Sequence, residues 1–486
     1  MNKTIRHAAV FSLLLVLALL VRATWVQFYD GQALADNDKN RRKMIAQYAY
    51  PLGDIIVGGE AVTGSEKTGG GSDLKYKRTY KDGSLYSAVT GFTSQVYGST
   101  QLEALYQDVL DGSDTQLKNP VDTLTGKHAD PGDVITTIDP SVQKAAYKAL
   151  GDKKGAAVAI DPKTGKILGM VSTPSYDASE ISGSGASDAR AWKKLSDDKD
   201  VPTMNRALKQ ALPPGSTFKL VVAAAALENG LYSSVDTKTD SPNPYPLPGT
   251  SKDLKNESAS APCEDASIRT ALQYSCNNVF GKMAVELGQD KVKAMAEKLG
   301  FNDEKRDVPV RAAESIYPSG MDKAQTALSG IGQFDVTATP LQMAMVSATI
   351  ANGGEQASPH MVSEVTNADG DAIKSYPDSD GERVLSESTA SQLQSAMETV
   401  VTKGTGTNAR IAGATVGGKT GTAQHGENNS KTPYAWFTSY AKDDSTGKEV
   451  AVAVLVEQSD AARSEVSGNG LAAPIARSMM AAALKS

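Results

Sequence analysis

Pro213-Pro214-Gly215-Ser216-Thr217-Phe218-Lys219-Leu220-Val221-Val222-Ala223-Ala224-Ala225-Ala226-Leu227-Glu228-Asn229-Gly230 is the stretch on which the reading of this chain turns. Pro-Pro-Gly breaks the chain, and the run after it reads as a helix with Ser216 in its first turn and an Asn-Gly stop. It is apolar nearly all round, so it should be buried. Positions three apart share a helix face, which puts Lys219 one turn above Ser216. A serine hydroxyl needs an adjacent base to act as a nucleophile. A lysine, with a pKa of about 10.4 in water, can serve only if burial or a nearby cation lowers that value. The rival reading has Ser216 capping the helix and Lys219 snorkelling to solvent. An ammonium one turn into an apolar helix is costly to explain that way.

Ser-x-x-Lys alone is weak, since it also starts at Ser72, Ser141, Ser196, Ser439 and Ser445. Ser72 lies in a Gly-rich loop, Ser196 in a solvated charge cluster and Ser445 in a hairpin turn signal. Two further strings follow in order. The first is Ser275-Cys276-Asn277, within residues 268–287, which read as one helix. Its rivals are Ser241-Pro242-Asn243, in a proline-rich loop, and Ser467-Gly468-Asn469, which comes too late in the order. The second is Lys419-Thr420-Gly421-Thr422, inside residues 416–422, which read as the edge strand of an antiparallel sheet. It would pair with 435–440, which in turn pairs with 449–457 across a turn at 443–448. Backbone N–H groups and threonine hydroxyls on such an edge can hold a carboxylate and an oxyanion. Lys163-Thr164-Gly165 reads instead as a hairpin tip after Asp161-Pro162. Gly413 to Thr420 also fits the phosphate-loop pattern, but a true one opens a helix, and residues 421–432 are polar and rich in Asn and Gly.

Around these strings the 486 residues are 40% apolar and 22% charged, with a net charge of -6. Mild acidity argues against a nucleic-acid footprint. Lys3 and Arg6 precede an unbroken apolar run at 8–21, extended past Arg22 to Phe28. The run alone would suit a signal-peptide core, but the nearest A-x-A, Ala33-Leu34-Ala35, lies too far on. An uncleaved anchor over 8–28 is expected, since Arg22 can snorkel, Trp25 and Tyr29 suit the interface, and the length can span a bilayer. Residues 1–7 would then be cytoplasmic and the rest extracytoplasmic, where disulfides are permitted. Cys263 and Cys276 either bridge, pinning 242–262 against the Ser275 segment, or stay as two thiols; the bridge is the working expectation. Residues 29–131 carry no catalytic constellation. They hold strand-like runs at 54–57 and 86–89 and one helix candidate at 99–110, and read as a spacer domain. The catalytic domain is expected over 132–486, with strand 134–138, a helix at 140–150, a sheet built from its two ends and a closing helix at 473–484. The four histidines are scattered and the cysteines have no metal spacing, so neither a metal nor another cofactor is expected.

Taken together, the fold expected is α+β: an antiparallel sheet with a helix cluster, a smaller N-terminal spacer and one transmembrane helix. The combination of strings resembles the class B penicillin-binding proteins, whose transpeptidase domain is of the serine β-lactamase-like type. Other strings shared with that family are Thr136 to Gln143, Asn205-Arg206-Ala207, Gly330-Ile331-Gly332-Gln333, Thr339 to Ala344 and Gly404-Thr405-Gly406. Ala88 to Thr93 and Gly98 to Glu103 resemble the actinobacterial penicillin-binding protein A branch. One departure is Pro51-Leu52-Gly53-Asp54-Ile55, where many members carry Arg-Gly before the isoleucine; it bears on the spacer's packing or partner contacts and leaves the catalytic assignment untouched.

The resemblance implies a peptidoglycan D,D-transpeptidase that cross-links stem peptides and is acylated by β-lactams. Ser216 would be the nucleophile, Lys219 its base and Ser275 a proton relay, with Lys419 keeping the field positive. Asn277 would bind the substrate amide. Thr420, Gly421 and Thr422 would line the carboxylate site, and the backbone N–H groups of Ser216 and Thr422 the oxyanion hole. A membrane glycan polymerase of the shape, elongation, division or sporulation type is the implied partner. The alternatives are a β-lactamase or β-lactam sensor, a synthase that also polymerises glycan, and a scaffold with a vestigial serine.

Overall fold

The computed structural model describes residues 3–30, 41–69, 72–117, 128–378, 381–426 and 429–486. The Ala33-Leu34-Ala35 string and residues 118–127 of the expected spacer lie outside them. Helix α1 (Lys3–Trp25) runs on through a π-turn, and none of its residues is buried. The span Lys3–Tyr29 is long and apolar enough to cross a membrane. At its end the rings of Trp25 and Tyr29 stack at 4.5 Å.

Strands β1 (Ile55–Val57) and β2 (Glu60–Ala61) form a hairpin over Gly58 and Gly59, both at positive φ. Beyond it, residues 86–89 are not the expected strand. They lie in helix α2 (Gly83–Thr90), which Gly91 ends at φ 70°. The reason is tertiary: the α2 carbonyls of Leu85 and Ala88 accept from the buried amides of Gln143 and Asn205, far along the chain. Nor is 99–110 one helix. It is two short pieces, Gln101–Leu105 and Gln107–Leu110, divided at Tyr106. That ring is buried, and its hydroxyl meets the hydroxyl of Tyr376 at 2.8 Å.

Strand β3 (Asp133–Thr136) pairs in parallel with β1, and helix α3 (Pro140–Leu150) follows it, capped by Asp139, whose carboxylate accepts from Ser141 and Val142 N–H. The hairpin of β4 (Lys154–Ile160) and β5 (Ile167–Thr173) turns at Lys163-Thr164-Gly165, where the Asp161 carboxylate accepts from two backbone N–H groups. That Lys-Thr-Gly is a hairpin tip, as its turn chemistry predicts. The helix cluster then supplies α4 (Lys219–Glu228), α5 (Ile268–Tyr274), α6 (Asn277–Leu287) and α7 (Pro340–Ala351). Strands β6 (Val362–Thr366) and β7 (Ala372–Ser375) join the first sheet, in the order β7-β6-β3-β1-β2. After helix α8 (Glu387–Lys403) come β8 (Ala414–Ala423), β9 (Tyr434–Asp443) and β10 (Glu449–Gln458), and then the closing helix α9 (Ala473–Ala483).

The second sheet has the order β8-β9-β10-β4-β5 and is antiparallel throughout. It is built from the two ends of the expected catalytic domain, with β8 on its edge. Both faces are covered, which is why β10 reads as a continuous apolar run. Side chains alternate across a strand, so Val450, Val452, Val454 and Val456 pack with α3 and α9 on one face. Ala451, Ala453 and Leu455 face α7 and the helix cluster on the other. α7 is apolar on every side and is buried from Pro340 to Ile350.

Candidate active site

Ser216 lies in the 3₁₀ turn Gly215–Phe218, and the α-helix proper begins only at Lys219. This corrects the expected position inside an α-helix, but a 3₁₀ turn eclipses residues three apart, so serine and lysine still stack. The turn is forced by close backbone contact. Gly215 has φ 54° and donates its N–H to Gly332 O at 3.0 Å. A Cβ on Gly332, at φ 68°, would stand 2.1 Å from Gly215 O. Only glycine fits there, which explains Gly330-Ile331-Gly332. The Thr217 hydroxyl closes the turn by donating to Pro214 O at 2.7 Å.

Residues 268–287 are not one helix. α5 ends and α6 begins around Ser275, which sits at φ 60°, ψ 43°. A serine in this left-handed region is strained, and in this conformation its Oγ faces two lysine amines. Lys219 Nζ donates to Ser275 O at 2.8 Å, to Ser275 Oγ at 3.3 Å and to Asn277 Oδ1 at 2.7 Å. Lys419 Nζ donates to Ser275 Oγ at 3.0 Å and to Thr420 O at 2.8 Å. Thus Ser275 Oγ sits between the two lysines, both fully buried. Burial, then the charge of Lys419, holds Lys219 well below the usual lysine range, against the opposing field of Glu257. Burial pushes Lys419 down to about 7, again against Glu257. A buried amine held well below the usual lysine range, as Lys219 is, can stand neutral and act as a general base.

Three features hold Ser275 in place. Cys263 and Cys276 form a disulfide. Asn256 Oδ1 accepts from Asn277 N–H at 2.5 Å and Asn278 N–H at 3.2 Å, capping α6 from a distant loop. The Asn278 side chain donates to the carbonyls of Ser241, Pro242 and Cys263. The Asn277 amide donates to Lys255 O at 3.0 Å. Sequence reading named neither Asn256 nor Asn278 as site residues. The Asn277-Asn278 doublet was a signal; Asn256, in a polar loop, offered none.

On the opposite wall, β8 brings Thr420, Gly421 and Thr422 alongside the Ser216 turn. Gly421 is so close that a Cβ would meet Pro214 O at 2.8 Å and Thr217 Cγ2 at 3.0 Å. Thr420 is buried and Thr422 half-buried. The structure therefore gathers Lys219, Ser275, Asn277 and Lys419 into one hydrogen-bonded cluster and packs the turn that carries Ser216 against the Thr420–Thr422 strand. The rival Ser241-Pro242-Asn243 string enters only as support, through the carbonyls that accept from Asn278 and the Asn243 side chain that accepts from Asn256, and Gly468 of the other Ser-x-Asn rival packs against Gly421. Among the described residues, no group of three or more His, Cys, Asp or Glu side chains is placed to hold a metal ion.

This arrangement has close parallels. Residues 155–481 match the family described as penicillin binding protein transpeptidase domain, well over half of the chain. The chain belongs to the penicillin-binding protein transpeptidase family. Residues 52–134 match the penicillin binding protein A dimerisation domain. The peptidoglycan D,D-transpeptidase PbpA of Mycolicibacterium smegmatis is 38% identical over 497 residues, covering 100% of this chain and 99% of that protein. The protein of that name from Mycobacterium tuberculosis is 36% identical over 500 residues, with 100% and 99% covered. Among solved structures, M. tuberculosis penicillin-binding protein A as a ceftriaxone acyl-enzyme complex superposes with TM-score 0.83 at 37% identity, covering 90% of this chain and 100% of the other. The D,D-transpeptidase domain of an Eggerthella lenta peptidoglycan glycosyltransferase gives TM-score 0.74 at 31% identity, with 90% and 98% covered.

Proposed function

We propose that this chain is a peptidoglycan D,D-transpeptidase working through a Ser216 acyl-enzyme. The observation that carries the reading is the pair of buried lysines converging on Ser275 Oγ beside Ser216. Ser216 Oγ attacks the carbonyl of the penultimate D-Ala of a donor stem, and its proton passes to the neutral Lys219. The backbone N–H groups of Ser216 and Thr422 stabilise the oxyanion, and Thr420 and Thr422 hold the terminal carboxylate. As the tetrahedral intermediate collapses, the proton moves from Lys219 through Ser275 to the departing D-Ala amine. An amine of a second stem then attacks the ester, gives up its proton along the same route, and leaves a cross-link with Ser216 restored. A β-lactam enters at the first step. Asn277 positions Lys219 and has an amide hydrogen left for the substrate backbone.

The domain plan that fits this reading is a cytoplasmic tail (1–7), an anchor (8–28), a spacer (29–131) and a catalytic part (132–486). Lys3 and Arg6 suit the cytoplasmic side, so catalysis faces outward, where its substrate lies. A membrane glycan polymerase supplies the strands to be cross-linked.

The test is intact-mass spectrometry and peptide mapping of residues from about 30 onward after exposure to penicillin. A lasting adduct on Ser216, absent in Ser216→Ala, is expected. Rapid penicillin hydrolysis without an adduct would instead indicate a β-lactamase, and neither adduct nor hydrolysis would leave a scaffold.

A further inference from the structure

Gly404-Thr405-Gly406 has no place in the chemistry above, yet it touches the carboxylate wall. Thr405 Oγ1 lies 2.7 Å from Thr420 Oγ1. The loop that delivers it is tightly built. Thr405 N–H donates to Gln273 O at 3.1 Å, and the Gln273 side chain donates to Lys403 O at 3.0 Å. The Gly404 and Gly406 N–H groups both donate to Val400 O. A Cβ on Gly404 would stand 2.6 Å from Gln273 O, and one on Gly406 would stand 3.2 Å from the Phe437 ring. The flanking glycines let the loop lie flat against α5 and the sheet, and the side chain between them reaches Thr420. Gln273 is two residues from Ser275, so the loop ties the two walls of the cleft together.

We propose that Thr405 is a positioning residue of the carboxylate site, donating its hydroxyl proton to Thr420 Oγ1 so that the Thr420 proton points at the substrate carboxylate. The inference rests on the acyl-transfer reading above and names one more residue of that site. A hydroxyl carries one proton. If Thr420 gave its proton to Thr405, it would have none for an anion. With Thr405 as donor, two aligned O–H groups end on the carboxylate, each polarising the next. An anion in the cleft selects the second arrangement.

The experiment uses the full chain in detergent, with Thr405→Val and Thr405→Ser. It compares acylation by penicillin G with acylation by penicillin G methyl ester, which has the same reactive ring but no carboxylate. Thr405→Val is expected to acylate with penicillin G roughly 10-fold more slowly, in line with loss of one hydrogen bond supporting a charged contact. Thr405→Ser is expected to restore the rate to within about 2-fold, and the ester to be nearly indifferent to either change. An equal loss with acid and ester, or no loss with penicillin G, overturns the proposal. If the unaltered chain is not acylated by penicillin G at all, the transpeptidase reading itself has failed.

Discussion

Lys219 and Lys419 donate to one oxygen: Ser275 Oγ lies 3.3 Å from the first ammonium nitrogen and 3.0 Å from the second. Burial makes a proton on either amine less welcome, and the charge of Lys419 adds to that effect at Lys219. The proton chemistry of the cleft is therefore a property of the pair and not of either residue.

The charge of Lys419 lowers Lys219, so removing it lets the Lys219 value rise. Lys419→Met should acylate more slowly, with the acid limb of its pH–rate profile moved to higher pH. A fluorescent penicillin followed across pH 5–9 reads this; a limb that stays put or moves down counts against it. Stability should show the same residue from the other side. Lys419 titrates at about 7 when folded and near 10.4 when unfolded. Between those values the folded state binds fewer protons, so stability rises with pH; below about 7 the full cost of the buried charge is present. Lys419→Met should therefore gain more in thermal midpoint at pH 6 than at pH 9. An equal gain at both would show that the charge is not the cause.

Gly332→Ala tests the backbone contact behind the nucleophile. A Cβ 2.1 Å from Gly215 O cannot be absorbed by side-chain movement. A loss of about 2–4 kcal/mol is expected, together with impaired acylation. Gly353→Ala is the comparator: its φ is 62° but nothing lies within 4 Å of its Cβ. It should cost only about 1–2 kcal/mol and leave acylation alone. Equal losses in urea unfolding would mean that the positive φ, and not the contact, sets the cost.

Asn256→Ala removes the remote cap of α6. A lost N-cap costs about 0.5–2 kcal/mol, and slower acylation should accompany it, because the cap fixes Asn277 and hence Lys219. Asn256→Asp keeps the acceptor but loses the donor to Asn278, so it should fall between. Stability loss with unchanged acylation would separate the cap from the site.

Arg78 and Glu103 form a fully buried ion pair at 2.7 Å, and Arg78 also donates to Gly53 O at 2.6 Å. Glu103→Gln leaves the buried guanidinium with only its longer 3.7 Å contact to Asp54 as counter-charge, so a loss toward the low end of about 3–5 kcal/mol is expected. The double change Arg78→Met, Glu103→Leu should cost less than Glu103→Gln alone. If it costs more, the pair is a net stabiliser. Hydrogen exchange in residues 52–117 reports on this region directly.

How far the sequence could be read depended on how local each determinant was. Turns were legible where a short-range hydrogen bond or a positive φ decides them, as at Asp161 to Gly165 and Asp443 to Lys448. The β10 strand was legible because a short β-branched apolar run bounded by turn signals marks a strand buried on both faces, and β8 because the strand at 435–440 supplies it with a pairing partner. Residues 86–89 were misread because short apolar runs have no decisive period, and contacts from Gln143 and Asn205 settle the matter. Residues 268–287 looked like one helix because every residue there tolerates helix. At the break, Ser275 meets lysines 56 and 144 positions away in sequence and α6 is capped from Asn256, contacts that no local pattern records.

The sequence by itself did not reach Asn256, Asn278 or Thr405, but it determined three strings of the site and their order, Ser216 to Lys219, Ser275 to Asn277 and Lys419 to Thr422. Their types are constrained by chemistry that any environment must respect: a nucleophile, an amine one turn away, a hydroxyl–amide pair and a lysine-led strand. Only the tertiary structure decided how they meet. The left-handed Ser275, the shared oxygen, the remote cap from Asn256 and the Gly215–Gly332 contact each depend on groups far apart in the chain. Such contacts cost loop-closure entropy that no local pattern records, so they appear only once the packed fold has met that cost.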